Sequence, residues 1–340
     1  MAKSEKNYGL SLLKVIMCFE VLCCHFLSNA TTPIWRLPLA LLKTSAVPVF
    51  MVISFLLCRK AVVSGDMALL GRRVRRLLWP QISWAAVYYL LCLVLNFLDS
   101  GEILSPVTLL WQLLTGSNER LNPAMWFQTD LILLTVIFSL LFAWLKPRLS
   151  CGIILLVSAV CLILQYSGVN YALFEPLQPE IKYSLGRIAE VWPFAGAAVC
   201  LFSPKVLEEL KKHWVLGCLV GLLLGAVSFL LKKPCGIYDS FGYSGIHMTL
   251  GAVGMVTFCC CLPLEKLGSG LTSFIDKLSR FTLGIYCCHL FIAKIFDFLQ
   301  RKAGVTTNDL AFTAAVFAAS YLACYLLERT GKKQLIAMVR

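Results

Sequence analysis

An all-α, polytopic membrane bundle of about ten transmembrane helices, with both termini in the cytoplasm, is predicted by three observations. First, apolar residues make up 59% of the 340 and charged residues only 14%, whereas a soluble domain carries about 25% charged and about 45–50% apolar residues. Second, ten stretches approach the roughly 20 apolar residues that cross a bilayer. Third, 21 of the 31 Lys and Arg residues fall in one alternating set of segments and nine in the other, with Lys294 inside a span. Positive charge accumulates on the cytoplasmic side, and an even number of spans puts both termini there. This composition excludes a soluble globular enzyme, a disordered chain and a nucleic-acid-binding module. The net charge of +13 reports orientation when it lies between spans, not a DNA footprint.

The spans are expected at 10–28, 38–58, 77–98, 123–145, 150–166, 187–203, 214–231, 247–264, 280–299 and 309–328. The first has the position of a signal peptide, and Ser28-Asn29-Ala30 has the form of a cleavage site. Lys14, Glu20 and His25 interrupt what would have to be its apolar centre, which argues for a retained helix. Asn29-Ala30-Thr31 is a glycosylation sequon, without meaning in a bacterial protein. The second span ends at Arg59-Lys60. The third follows Gly71-Arg72-Arg73-Val74-Arg75-Arg76, read as a cationic cytoplasmic loop. The fourth ends at Lys146 and Arg148, the seventh lies between Lys211-Lys212 and Lys232-Lys233, and the tenth ends at Arg329. No gap is long enough for a soluble domain, and no internal repeat or low-complexity tract is evident. Residues 1–340 therefore read as one membrane domain.

The 16 cysteines lie nearly all within apolar runs, with Cys235 in a connecting loop. They read as small buried apolar residues rather than a disulfide framework. Cys-Cys-His occurs at Cys23-Cys24-His25 and Cys287-Cys288-His289. Adjacent helical residues point about 100° apart and cannot converge on one ion, so no metal site is expected.

Ionisable groups inside spans are costly and mark function. Here they are Lys14, Glu20, His25, Asp130, Arg187, Glu190, His247, His289, Lys294 and Asp297. Lys14 and His25 are eleven residues apart, which puts them on one helix face about 16 Å apart along the axis. Lys14 falls near the cytoplasmic end. His25, Asp130, Arg187, Glu190, His247, Lys294 and Asp297 fall in the outer halves of their spans, with Glu20 and His289 near the middle. That distribution describes a polar pocket opened from outside above a cationic inner mouth. Simpler roles exist for each: snorkelling of Lys14 to the interface, a helix-to-helix bond for His25, i,i+3 pairs Arg187–Glu190 and Lys294–Asp297, an interfacial belt position for Trp126, and lipid-headgroup anchoring by the arginine run.

Several segments, in order, resemble the acyltransferase-3 family of integral-membrane O-acyltransferases of surface glycans. Lys14 with Cys23-Cys24-His25-Phe26 is similar to its first span, where the family has an Arg, ten residues, then a His. Val47 to Leu57 resembles its second span without the Gly that normally follows the Ser. Arg72 to Pro80 resembles its basic run, Met125-Trp126-Phe127 the start of its fourth span, and Leu278-Ser279-Arg280 with Gly284-Ile285-Tyr286-Cys287-Cys288-His289 its ninth-span signature.

The resemblance implies transfer of an acyl group, most commonly acetyl, from cytoplasmic acyl-CoA to a hydroxyl of a cell-surface or exported glycan. It implies location as a multi-pass protein of the cell membrane, the plasma membrane of a bacterium. Acetyl-CoA or another acyl-CoA would be donor substrate rather than a permanent cofactor, and the partners would be a glycan acceptor and membrane lipids, with no nucleic acid. In that scheme Lys14, Arg75 and Arg76 hold the donor, because guanidinium groups grip phosphate bidentately. His25 is general base or transient acyl carrier, and His289 polarises the thioester or orients the acceptor. Trp126, Asp130, Arg187 and Glu190 contact the acceptor. A transporter or flippase would use the same buried charges as a path, and a binding or sensory membrane module is the other alternative. The orientation is tested by C-terminal fusions at Arg340: green fluorescent protein is expected to fluoresce and alkaline phosphatase to be inactive. The reverse pair would invert the topology.

Overall fold

The computed structural model describes residues 6–27, 45–101, 103–116, 121–167, 172–177, 179–232, 243, 245–266 and 268–340. The Asn29 sequon, the Ser28-Asn29-Ala30 site, Cys235 and the 38–44 portion of the second expected span lie outside the described residues. Among those described there is no strand. The helices are α1 (Tyr8–Phe26), α2 (Ala46–Val63), α3 (Met67–Ser100), α4 (Pro106–Thr115), α5 (Trp126–Trp144), α6 (Pro147–Tyr166), α7 (Pro179–Leu201), α8 (Pro204–Lys212), α9 (Trp214–Lys232), α10 (Ile246–Cys261), α11 (Ser269–Ser279), α12 (Thr282–Ala303), α13 (Asp309–Arg329) and α14 (Lys333–Val339).

Nine of the described helices are long and apolar enough to cross a membrane. The helices α7 and α8 meet at a 78° bend and make a tenth span if taken together. The helix α7 carries Lys182, Arg187 and Glu190. A polytopic helical architecture follows from the solvent: lipid offers backbone groups no partners, so each spanning segment must satisfy its own.

One expectation is corrected. The run Gly71 to Arg76 is not a loop but lies within α3, a 34-residue helix. It starts where Asp66 accepts from the Ala68 and Leu69 amides and continues through Pro80. Proline removes one hydrogen bond from a helix without ending it when neighbouring helices hold both sides. Arg73, Leu77 and Gln81 recur at i,i+4 and so share one face of α3.

The helix α1 packs against α2, α10, α11, α12 and α13. Lipid supplies no hydrophobic drive between helices, so close approach depends on small residues. Gly9 lies so near α10 that a Cβ there would sit 1.8 Å from the Cys259 carbonyl oxygen. Asn7 ties the same crossing: its side chain accepts from the Leu10 amide and donates to the Cys260 carbonyl, both at 2.8 Å. Between α9 and α10, a Cβ on Gly254 would meet the Gly221 carbonyl at 2.8 Å.

Both ends of the described chain gather at one end of the bundle. Lys6 pairs with Asp276 at 2.8 Å, Arg340 pairs with Glu328, and Glu328 also meets Arg280 at 3.4 Å. The helix α14 docks there against α3, α12 and α13. The Trp79 and Trp84 indoles donate to the Gln334 and Met338 carbonyls. Fifteen cysteines, every one described, are free thiols.

Candidate functional site

The two histidines singled out from sequence meet. His25 lies in the last turn of α1 and is exposed, while His289, in the second turn of α12, is completely buried. Their ring centroids are 5.2 Å apart. His289 Nδ1 lies 2.7 Å from the Tyr286 carbonyl and 3.3 Å from that of Ile285. A carbonyl only accepts, so Nδ1 carries the hydrogen and Nε2 presents its lone pair. That Nε2 is buried and has no hydrogen-bond partner.

A polar cluster lies on the other side of Tyr286. Trp126 opens α5, and the Arg187 guanidinium of α7 sits 4.9 Å above its ring. Asp130, one turn further along α5 and 1% exposed, lies within electrostatic reach of both Arg187 and Glu190. Its Oδ2 has no hydrogen-bond partner. Glu190 is buried as well. Rings connect this cluster to the histidines: Trp126 to Phe127 at 6.5 Å, Phe127 to Tyr286 at 5.7 Å, and Tyr286 to His289 at 6.1 Å. Trp126, Asp130, Arg187 and Glu190 are thus brought together by α5 and α7, beside the His25–His289 pair.

Tyr243 was not anticipated. Its ring stands 5.5 Å from that of Trp126. Burial pushes its phenol above the ordinary value, and the nearby Cys24, Glu20 and Glu190 push in the same sense. It therefore remains a hydrogen donor near neutral pH. Aromatic residues in loops between spans are common, and no sequence feature distinguished this one.

Glu20, rotated away from the Lys14–His25 face, has a separate role. It is buried, and its Oε2 accepts from the Ala46 amide at 3.1 Å. Its Oε1 accepts from the Cys24 thiol at 3.1 Å. A carboxylate at the first turn of α2 satisfies an orphan N–H and complements the helix dipole. His247 is buried near the start of α10, where its carbonyl accepts from Ser228 at 2.5 Å. Asp297 is exposed and pairs with Arg301 at 3.3 Å.

Toward the end that holds the chain termini, Lys14 is half-buried on α1, within electrostatic reach of Asp276. Arg75 and Arg76 lie on the exposed side of α3. Arg73 is the inward member of the run: it is half-buried, and its Nε has no hydrogen-bond partner. The i,i+4 spacing of Arg73 from Leu77 and Gln81 carried that signal. Also unanticipated are the buried amides Gln81, Gln112, Asn122 and Gln128. A search confined to ionisable groups passes over them, although amides within apolar segments are themselves unusual.

A multi-span helical bundle in which an exposed and a buried imidazole meet beside a carboxylate–arginine cluster defines an integral membrane protein with a polar site. Residues 7–329 match the family model described as an acyltransferase domain, acyltransferase-3, which is nearly the whole chain. The chain belongs to that family, and membership suggests acyltransferase activity. Comparison with curated proteins and with solved structures returned no match.

Replacing Glu20 by Ala strands the Ala46 amide in the interior and is expected to cost roughly 1–3 kcal/mol. Glu20→Gln, which keeps an acceptor oxygen, should cost less. Thermal unfolding in detergent reads both, and an unaffected Glu20→Ala protein would refute the capping role.

Proposed function

We propose that this membrane protein is an O-acyltransferase that moves an acyl group, acetyl in the simplest case, from cytoplasmic acyl-CoA to a hydroxyl of a glycan presented from the other side of a bacterial cell membrane. The observation that carries the reading is the His25–His289 pair, ring centroids 5.2 Å apart, within a chain that belongs to the acyltransferase-3 family.

In this scheme His25 takes the proton of the acceptor hydroxyl. The oxygen attacks the thioester carbonyl, the new C–O bond forms, and the C–S bond breaks. The proton then passes from His25 to the departing coenzyme A sulfur. An imidazole has suitable basicity for both transfers near neutral pH. The role of His289 is positional. Its Nδ1 hydrogen is committed to the Tyr286 carbonyl, so its Nε2 lone pair is available beside His25 to orient that ring, much as the third member of a nucleophile–base arrangement orients the base.

The acceptor fits the cluster on the far side of Tyr286. Trp126 offers a flat apolar face, and Asp130, Glu190 and Tyr243 offer acceptors and a donor for sugar hydroxyls. The anionic part of the donor stays at the opposite end with Lys14 and the arginine run of α3. With both termini cytoplasmic, as the Lys and Arg bias implies, that end faces the acyl-CoA pool.

The test uses membrane vesicles supplied with acyl-CoA on the side of the chain termini, with glycan acylation as readout. His25→Ala should lower transfer by about 10²–10⁴-fold, the usual contribution of a general base. Full transfer by a normally inserted His25→Ala protein would remove His25 from catalysis. Lys14→Ala should raise the KM for acyl-CoA and Lys14→Arg should restore it. Equal behaviour of the two variants would end the donor role of Lys14.

A further inference from the structure

Two buried amides between the arginine run and the histidines each leave one polar atom unused. Gln81 of α3 is 2% exposed and Asn122 is fully buried. Gln81 Oε1, an acceptor, and Asn122 Nδ2, a donor, have no hydrogen-bond partner. Such atoms are rare in folded proteins because a buried group stripped of water loses its bonds outright. The other half of each amide is engaged. Gln81 Nε2 donates to Thr129 Oγ1 at 3.0 Å, and Asn122 Oδ1 accepts from the Ala124 amide at 2.9 Å.

The two belong to one neighbourhood. A Cβ on Gly116 would lie 2.2 Å from Thr129 Oγ1, the partner of Gln81. Gln112 Nε2 donates both to the Gly116 carbonyl at 3.1 Å and to the Asn122 carbonyl at 3.0 Å. Gln128 joins from α5, donating to the Leu77 carbonyl at 2.6 Å, with the Cys287 thiol 3.6 Å from its Oε1.

This neighbourhood bridges the two ends of the proposed site. Gln81 stands two helical turns beyond Arg73 on the same face of α3, about 12 Å along the axis. Asn122 is bonded to Ala124, whose carbonyl accepts from the Tyr286 hydroxyl. The carbonyl of Tyr286 in turn holds His289. These bonds tie the Asn122 segment to the residue that holds His289, while Gln81 shares the face of α3 that carries Arg73.

We propose that Gln81 and Asn122 seat the pantetheine arm of an acyl-CoA donor. Gln81 Oε1 accepts from one amide N–H of the arm, and Asn122 Nδ2 donates to an amide carbonyl. The inference rests on the acyl-CoA reading above. The chemistry matches: pantetheine is a thin chain whose only internal polar groups besides one hydroxyl are two amides, each with a donor and an acceptor. The nucleotide at its head carries phosphates and stays with the arginines. Seating the arm parts α3 slightly from the 121–125 segment and satisfies atoms that are otherwise stranded.

The test compares two ligands on the full chain in detergent. Coenzyme A carries the arm, and adenosine 3′,5′-bisphosphate keeps the nucleotide but lacks it. Asn122→Asp preserves the acceptor for the Ala124 amide and turns the unused donor into an acceptor. Gln81→Met preserves length and removes the amide. Calorimetry should show coenzyme A bound about tenfold or more weakly by each variant, the loss expected for an unmade buried hydrogen bond. Affinity for the bisphosphate should be unchanged, which also reports an intact fold. Unchanged affinity for coenzyme A in both variants overturns the proposal and leaves these atoms to ordered water. Equal weakening of both ligands overturns it as a general structural effect. A wild-type protein that binds neither ligand refutes the donor reading itself, before any substitution is considered.

Discussion

The bond from His289 Nδ1 to the carbonyl of Tyr286, three residues back on the same helix, sets what the interior of this protein can do. A buried imidazole free to choose its tautomer would be an ambiguous partner. Held in this way, it keeps the Nε2 lone pair free on a ring whose centroid lies 5.2 Å from that of His25. Tyr286 serves twice, since its hydroxyl also donates to the Ala124 carbonyl. The ring that separates the carboxylate–arginine cluster from the histidines is thereby fixed to the segment that starts α5. A single residue of α12 registers three parts of the site against one another.

The membrane imposes the frame for that arrangement. Without water as a partner, every polar group in the interior must find another polar group or carry a cost. Most do: Glu20 receives the first amide of α2, Tyr88 donates to the Cys287 carbonyl and receives the Phe291 amide, and Gln165 accepts from the Gly245 amide at the start of α10. Against that background the buried atoms left unpaired stand out. Asp130 Oδ2, His289 Nε2, Gln81 Oε1 and Asn122 Nδ2 are among them, and others lie elsewhere in the bundle, Thr249 Oγ1 on α10 and Ser320 Oγ on α13 for instance.

The helix α1 positions polar groups for a related reason. It contacts five other helices and carries Lys14, Glu20 and His25 on its length. Gly9 lets it lie directly on the backbone of α10, and Cys18 meets the Thr282 carbonyl at the foot of α12. From that point His25 and His289 are each seven residues further along roughly parallel helices. Equal rise on two packed helices brings their imidazoles to the same level.

The sequence by itself determined the class of architecture, the approximate spans and most of the polar residues of the interior. Apolar length, charge bias and the cost of ionisable groups in lipid are local properties, readable without knowing what packs on what. The same local logic misread Gly71 to Arg76 as a loop, because a run of arginines before a proline has the composition of a connector. In α3 the helix persists because Asp66 caps it and neighbouring helices hold it on either side of Pro80. Only the tertiary structure decided that His25 and His289, 264 positions apart, are neighbours, that the partner of Glu20 is the first amide of α2, and that Arg73 rather than Arg75 or Arg76 faces inward. It also revealed Tyr243 and the buried amides. Those facts depend on which helix faces meet, and helix faces in lipid are matched by small residues and backbone proximity that leave only a faint trace in composition.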